Sequence, residues 1–337
     1  MSKMLTIVIP CYNVEVYLDK GLRTLGEEQF NELLEVLIID DGSKDRTAEI
    51  AKSYVVRFPK IFRLIQKRNG GHGSVINRGI EEAKGKYFRV LDGDDWVNSF
   101  ELNELLTRMK ERNEDLLVDK RCEVHMKTNR KNHIPLPESV KPYQTYTFAE
   151  VCTRPDVSRY FIIHNFSVKT SLLQQNHVRV TEGVFYEDSE YVMKATGICR
   201  SIYFFDMEIY QYLIGNVNQS VSCQNFVKRY EHFDTVTRAM LAQTKVLLEE
   251  KDAAIAQYLF LRAKTVVLTQ FYIALIYDTD RSRGKKRGRE LAELLKKEYP
   301  QMYRLVKKKY HMDLCLHAAG VDYKGLQTMR KMCGKKD

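Results

Sequence analysis

Leu34-Glu35-Val36-Leu37-Ile38-Ile39-Asp40-Asp41-Gly42-Ser43-Lys44-Asp45 is the stretch that decides the fold. A short, nearly all-apolar run marks a strand buried on both faces, the kind that parallel sheets need because helices cover them on either side. The acidic, glycine-containing residues after it read as a turn, with Ser43 or Asp45 placed to cap a helix running to about residue 58. The same unit recurs outward from this stretch. Leu5-Thr6-Ile7-Val8-Ile9-Pro10 is a buried strand, Cys11-Tyr12-Asn13 a loop, and Val14, Leu18, Leu22 and Leu25 repeat at helical spacing. Phe62-Arg63-Leu64-Ile65 is a third strand, Asn69-Gly70-Gly71-His72-Gly73 a flexible turn, and residues 74–83 a helix closed by Gly85. Tyr87-Phe88-Arg89-Val90-Leu91 is a fourth strand, followed by a helix over 100–112. Alternating strands and helices imply right-handed crossovers and a mainly parallel sheet, with ligands bound beyond the carboxyl ends of the strands.

Three loops leave those ends. They carry Tyr12-Asn13, Asp40-Asp41 and Asp92-Gly93-Asp94-Asp95. The last packs three carboxylates into four positions, and like charges this close repel unless something positive joins them. A hard divalent cation with oxygen ligands is the usual solution. On an extended segment Asp92 and Asp94 would project to the same side. A plain turn would use the same residue types.

The 337-residue chain, with 44% hydrophobic and 29% charged residues, is ordinary globular material. Met1 runs almost directly into the first strand, which leaves no room for a signal peptide and sets a cytoplasmic expectation. Seven scattered cysteines lack the C-x-x-C spacing of a zinc or redox site and read as packing or incidental thiols. The net charge of +10 is uneven: residues 281–337 hold 17 Lys/Arg against 6 Asp/Glu, or +11, leaving −1 for the rest. Such a segment suits an anionic membrane face or a polyanion, or is simply a solvated helix face.

Beyond Asp115 the regularity falls. Residues 116–126 are strand-like, 128–144 a polar loop, 159–163 a strand, 171–175 a short helix, 184–195 a further helix, and 202–205 and 209–213 two strands. From about Asn225 the period is helical throughout. Residues 258–277 approach the length of a membrane span, yet Arg262, Lys264 and Gln270 interrupt them, and each central Arg or Lys costs about 2.5–3.5 kcal/mol on insertion. A helix within a bundle is the better reading. The expected domains are 1–222, divided into 1–115 and 116–222, and a basic helical region over 223–337.

Thr6-Ile7-Val8-Ile9-Pro10-Cys11-Tyr12-Asn13, Val36 to Thr47, Asn69 to Ile80, Asp92-Gly93-Asp94-Asp95-Trp96 and Tyr186-Glu187-Asp188 together resemble, in order and spacing, the family 2 glycosyltransferases. The resemblance implies an α/β GT-A fold: a Rossmann-like, mainly parallel mixed sheet flanked by helices, with a nucleotide-sugar-binding half and an acceptor-binding half. It implies an inverting, metal-dependent transfer from a nucleotide-sugar, a UDP-sugar, of hexosyl or N-acetylhexosaminyl type. The acceptor is a hydroxyl of a glycan, a lipid-linked molecule or a cell-envelope polymer. Asp94 is then the first metal ligand, for Mn²⁺ or Mg²⁺, with Asp92 on the ribose or sharing the metal and Asp95 as the alternative. Asp40 resembles the acid that recognises the base. Pro10, Tyr12, Asn13 and Glu15 lie near the nucleotide, Asn69 and Asn77 face ribose and phosphates, and Gly93 belongs to the acidic turn. His72 either approaches the phosphates or sits in a plain turn. Asp188 is the catalytic base, its pKa raised by Glu187 and Glu190.

The chain also departs from the family pattern. Val75-Ile76-Asn77 stands where relatives often have Ala-Arg-Asn, which weakens the case for a cationic contact there, and Arg78 is displaced by two positions. Tyr210-Gln211-Tyr212 and Gln219-Ser220-Val221-Ser222 resemble the tyrosine strand and the loop that closes over the diphosphate, without that loop's basic residue. Trp96 is the only tryptophan, so the Q-x-x-R-W motif of processive synthases is absent and one sugar per encounter is expected. A nucleotidyltransferase would need a Gly- and Lys/Arg-rich loop after the first strand, which Pro10-Cys11-Tyr12-Asn13 is not. A catalytically dead binding protein on the same fold would have no reason to keep Asp92, Asp94 and Asp188. The basic segment suggests peripheral contact with the inner face of an anionic membrane; no nucleic-acid module accompanies it.

Overall fold

The computed structural model describes residues 3–215, 222–246 and 252–332. They group into two compact units, Met1–Val217 with Asp252–Tyr258, and Asn218–Lys251 with Leu259–Asp337.

The first unit is built on a ten-stranded mixed sheet. β1 (Leu5–Cys11), β2 (Leu34–Asp40), β3 (Phe62–Gln66) and β4 (Tyr87–Val90) are parallel, in the order β3-β2-β1-β4. Every residue of β1 and β2 is buried, as their apolar composition requires for a sheet covered on both faces. α1 (Glu15–Arg23), α2 (Thr47–Arg57), α3 (His72–Glu82) and α4 (Ser99–Met109) alternate with these strands. Asp45 does the work expected at the start of α2: its carboxylate accepts the Thr47 N–H at 3.0 Å and, with its second oxygen, the Glu15 N–H at 3.1 Å. Ser43 does not cap this helix; its Oγ accepts from the Asn13 N–H instead.

β5 (Trp96–Val97) follows the acidic turn and pairs antiparallel with β10 (Ser201–Ile214). β6 (Leu116–His125) runs parallel to β10, and β9 (Phe166–Lys169) lies antiparallel between β4 and β6. The two strands expected over 202–213 are thus one long strand, with register shifts on either side of Glu208. The expected loop over 128–144 contains β7 (Lys131–Ile134), paired among the described residues with β6, and β8 (Thr145–Thr147) follows it on β10. β7 is polar because it is an exposed edge, so no apolar pattern marks it.

The strand expected over 159–163 is not formed. α6 (Pro155–Tyr160) follows α5 (Phe148–Val151), and Pro155 opens it at the position where a missing N–H costs nothing. Tyr160, Phe161 and Ile163 are buried, and a short apolar run does not by itself reveal its geometry. α7 (Thr170–Gln175) and α8 (Asp188–Gly197) complete this part of the chain.

The second unit is helical: α9 (Cys223–Lys228), α10 (Tyr230–Val246), most of α11 (Ala253–Tyr272) with its continuation Ile273–Tyr277, α12 (Arg281–Glu298), α13 (Pro300–Ala318) and α14 (Tyr323–Met332). Among the described residues one helix, Ala253–Tyr277, is long and apolar enough to cross a membrane, and 56% of its most apolar window is buried in protein. Gln270, the polar residue that interrupts it, is buried and donates to Tyr230 Oη at 3.2 Å and Asp234 Oδ1 at 2.6 Å. The six cysteines among the described residues are free thiols.

Candidate active site

The loops after β1 and β2 are laced together. Asp41 N–H donates to Cys11 O at 2.8 Å, Lys44 N–H to Asn13 Oδ1 at 2.8 Å, and Arg46 N–H to Glu15 Oε2 at 2.9 Å. Asn13 holds a left-handed backbone (φ 53°) to make this contact. Asn13 and Glu15 therefore spend their side chains tying loops, while Tyr12 stands 49% exposed at the strand end. Asp40 is buried and accepts from Ser43 N–H at 2.9 Å and Gln66 Nε2 at 3.2 Å. Asp41 pairs with Lys67 at 2.6 Å and accepts the N–H groups of Gly70 and Gly71, so it shapes the next loop.

That loop, with Asn69 exposed at its start, leans on the segment before α8. Gly183 N–H donates to Gly70 O at 2.8 Å, and Gly71 turns with φ 84°, where a Cβ would lie 3.2 Å from the Gly183 backbone. A Cβ on Gly73 would meet Thr181 O at 2.3 Å and Glu187 Cγ at 3.0 Å. The glycines of the Gly-Gly-His-Gly run thus serve close backbone approach to residues 181–187. Asn77 serves the same junction. Its amide is buried and bonds Val180 in both directions and Glu182, so it is not presented to a ribose or phosphate.

His72 stands where these pieces meet. Its Nδ1 is 2.6 Å from Glu187 Oε1 and its Nε2 3.3 Å from Asp92 Oδ1. Burial alone would lower its pKa, but the two carboxylates outweigh burial and raise it well above the ordinary value. His72 thus bridges the acidic turn and the Glu187–Asp188 pair.

The acidic turn is not extended. Asp95 N–H donates to Asp92 O at 3.0 Å, closing a turn that brings the first and fourth residues to one side. This corrects the expectation that Asp92 and Asp94 share a face: strand alternation ends at Val90. Gly93 is buried, and a Cβ there would meet Pro10 O at 2.8 Å. Tyr210 Oη donates to Asp95 Oδ2 at 2.6 Å and accepts the Asp92 N–H at 3.1 Å, while Leu213 N–H donates to Asp95 Oδ1 at 2.7 Å. Burial and the Asp92 charge push Asp94 up to about 6. Burial, then Asp92 and Asp94, push Asp95 well above the usual carboxylate range. Asp92 is drawn below that range: burial opposes this, and its hydrogen bond with His72 prevails.

Asp188 opens α8 next to Tyr186, whose left-handed backbone (φ 76°) costs about 1–3 kcal/mol and is the kind of strain that collects at functional sites. Asp188 touches solvent, yet the protein packed around the helix start desolvates its carboxylate and Glu187 adds its charge, and both raise its pKa. Glu190 does not contribute as expected; it is held by Lys194 at 2.7 Å and by the Thr181 N–H.

His164 is the residue sequence reasoning missed. It is 9% exposed, stacked on Tyr212 (ring centroids 4.5 Å) and tilted on Tyr210 (4.6 Å). Its Nδ1 is buried without a hydrogen-bond partner among the described residues and lies 3.9 Å from Asp92 Oδ2. An unsatisfied buried polar atom costs about 1–3 kcal/mol. Burial lowers the His164 pKa to about 4, which keeps the imidazole neutral and its lone pair available. One donor atom each from Asp92, Asp95 and His164 lies within 4.8 Å of the others, a set that fits a divalent cation, and Asp94 stands outside it. The signal in the sequence was a histidine ending the apolar run Tyr160-Phe161-Ile162-Ile163. Arg78 pairs with Glu82 at 2.6 Å and supplies no cation here. Gln219, Ser220 and Val221 lie outside the described residues.

The Glycosyl transferase family 2 model matches residues 6–176. The uncharacterized glycosyltransferase EpsJ of Bacillus subtilis is 27% identical over 216 residues, 63% of this chain and 61% of that protein. The poly(ribitol-phosphate) β-N-acetylglucosaminyltransferase TarS of Staphylococcus aureus is 24% identical over 262 residues, 75% of this chain and 43% of that protein. The chain thus spans only about half the length of the curated relatives it matches. The crystal structure of TarS 1–349 in complex with UDP matches with a TM-score of 0.66 at 17% identity, covering 93% of this chain and 87% of that one. The mannosyltransferase PcManGT of Pyrobaculum calidifontis, in complex with GDP-Man and Mn²⁺, matches with a TM-score of 0.53 at 14% identity, covering 98% and 84%.

Proposed function

Because the chain belongs to glycosyl transferase family 2, we propose that it transfers a single sugar from a UDP-sugar to a hydroxyl of a cell-envelope glycan, lipid-linked or polymer acceptor, with inversion at the anomeric carbon. The observation that carries this reading is His72, which joins Asp92 of the acidic turn to Glu187 beside Asp188. The diphosphate end of a donor and the group that deprotonates an acceptor are thereby set in one site. The solved TarS complexes with UDP and UDP-GlcNAc, and the polymer named in its activity, support the donor and acceptor classes.

Asp188 takes the proton of the acceptor hydroxyl as its oxygen attacks the anomeric carbon and the diphosphate leaves from the opposite side. A raised pKa makes it a stronger base at neutral pH. Asp92, with Asp95 and His164, would hold Mn²⁺ or Mg²⁺, which supplies Lewis-acid neutralisation of the leaving diphosphate. Tyr210 and the Leu213 N–H keep Asp95 in place. A panel of UDP-sugars with Mn²⁺, scored by protection against thermal unfolding and by UDP release, tests the reading. Protection and turnover with one UDP-sugar are expected. Failure of every UDP-sugar to bind in the presence of Mn²⁺ contradicts it.

The basic helices serve, in this reading, to hold the enzyme peripherally on an anionic membrane face in the cytoplasm. Lys285, Lys286, Arg289, Lys307 and Lys308 are exposed, and Leu305 and Met312 on α13 are 52% and 50% exposed among them. Cations mixed with exposed apolar side chains suit a headgroup boundary. Co-sedimentation with anionic but not neutral liposomes at low salt is expected; equal binding to both counts against it.

A further inference from the structure

The geometry points to His164 Nδ1 as a direct ligand of the active-site cation, alongside Asp92. The inference rests on the metal-dependent reading above and deepens it. His164 lies on the turn between α6 and β9, remote in sequence from the acidic turn. That turn is rigid: Ile162 N–H donates to Asn165 Oδ1 at 3.1 Å, Asn165 Nδ2 to Tyr160 O at 2.8 Å, and Asp119 N–H to Asn165 O at 3.1 Å. The ring is confined between Tyr210 and Tyr212 and cannot swing its nitrogen out to water.

Two independent observations meet at the same atom. Nδ1 is a buried nitrogen with no hydrogen-bond partner among the described residues, and buried polar atoms left so call for an explanation. It also faces Asp92 Oδ2 at 3.9 Å, too long for a hydrogen bond but suited to two ligands sharing one ion. Asp95 already accepts one hydrogen bond at each oxygen, from Tyr210 Oη and the Leu213 N–H, so it steadies the site or lends a remaining lone pair. A nitrogen ligand has a chemical consequence. Mg²⁺ prefers oxygen ligands in an octahedron and keeps its waters, whereas imidazole suits first-row transition ions. The site therefore selects Mn²⁺ over Mg²⁺.

The test is pulsed EPR of Mn²⁺ bound to the full chain with UDP. The expected result is ¹⁴N coupling from a directly bound imidazole. That coupling disappears in His164→Gln and persists in His72→Gln, which removes the other histidine near Asp92. Mn²⁺ affinity measured by calorimetry falls about tenfold or more in His164→Gln, and the preference over Mg²⁺ shrinks with it. Mn²⁺ binding without ¹⁴N coupling in the wild-type chain overturns the inference and leaves the glycosyltransferase reading standing; this arm needs no variant to fold. Coupling that survives His164→Gln overturns it equally. Absence of any Mn²⁺ binding in the presence of UDP instead overturns the metal-dependent reading beneath it.

Discussion

Replacing Gly73 by alanine tests the junction that makes the site. The added Cβ would lie 2.3 Å from Thr181 O and 3.0 Å from Glu187 Cγ. Ordinary C···O contacts begin at about 3.3 Å, so α3 and the segment before α8 must part by roughly 1 Å. Neither side yields easily. Val180 is bonded in both directions to Asn77, and the Thr181 N–H is held by Glu190 at 3.0 Å. Overpacking of this kind costs about 1–3 kcal/mol. At about 2–4 °C per kcal/mol for a domain of this size, melting falls by about 2–12 °C. The separation also pulls His72 away from Glu187, which sits beside the proposed base. Misplacement by about 1 Å costs as much as ~10²-fold in rate. Differential scanning fluorimetry and a UDP-release assay on the same preparation measure both effects, and the rate is expected to suffer more than the fold. A variant with unchanged melting and unchanged turnover would refute the reasoning, because the contact would then not be tight.

Tyr210→Phe removes one hydroxyl that serves both Asp95 and the Asp92 N–H; denaturant unfolding should show a loss of about 1–3 kcal/mol, and UDP titration with Mn²⁺ a weakening of about tenfold or more, with no change in either sinking the assigned role. Asp119→Ala leaves the buried Arg89 guanidinium, now 2.5 Å from its carboxylate, without its charge partner. Urea unfolding should register about 3–5 kcal/mol, most of it regained in Arg89→Met/Asp119→Leu; a loss below about 1 kcal/mol would show that the charge finds another partner. The pH dependence follows from Asp188, whose pKa is raised by desolvation at the helix start and by the Glu187 charge. The base works only when deprotonated, so kcat/KM should fall as pH drops through a value above the ordinary carboxylate of about 4. An acid limb at that ordinary value would contradict the environment described.

The sheet was legible because its central strands obey one rule. β1 and β2 are buried on both faces, and their apolar runs leave no other reading. Edge elements escaped for the opposite reason: β7 is paired on one side and exposed, so its Lys-Asn-His-Ile sequence looks like loop. In the candidate site Asp92 and Asp188 stand out by motif spacing, whereas a side chain whose role depends on a distant segment does not. Asn77 looked like a ligand contact and is consumed by Val180, 103 positions away. Asp92 and Asp94 looked paired by strand alternation, and a single turn hydrogen bond from Asp95 replaced that pairing with another. His164 carries no local signal beyond a polar residue after apolar ones, since its meaning comes from Asp92 and from the two tyrosines of β10.

In the proposed reaction a divalent cation joins the Asp92 cluster to the donor's diphosphate. Calorimetric titration of UDP into the full chain, with Mn²⁺ and then with chelator, tests it most directly. UDP binding is expected to strengthen at least about tenfold with Mn²⁺ and to lose that gain in Asp92→Asn, as follows when a carboxylate ligand is removed. UDP affinity that is the same with and without the ion would contradict it.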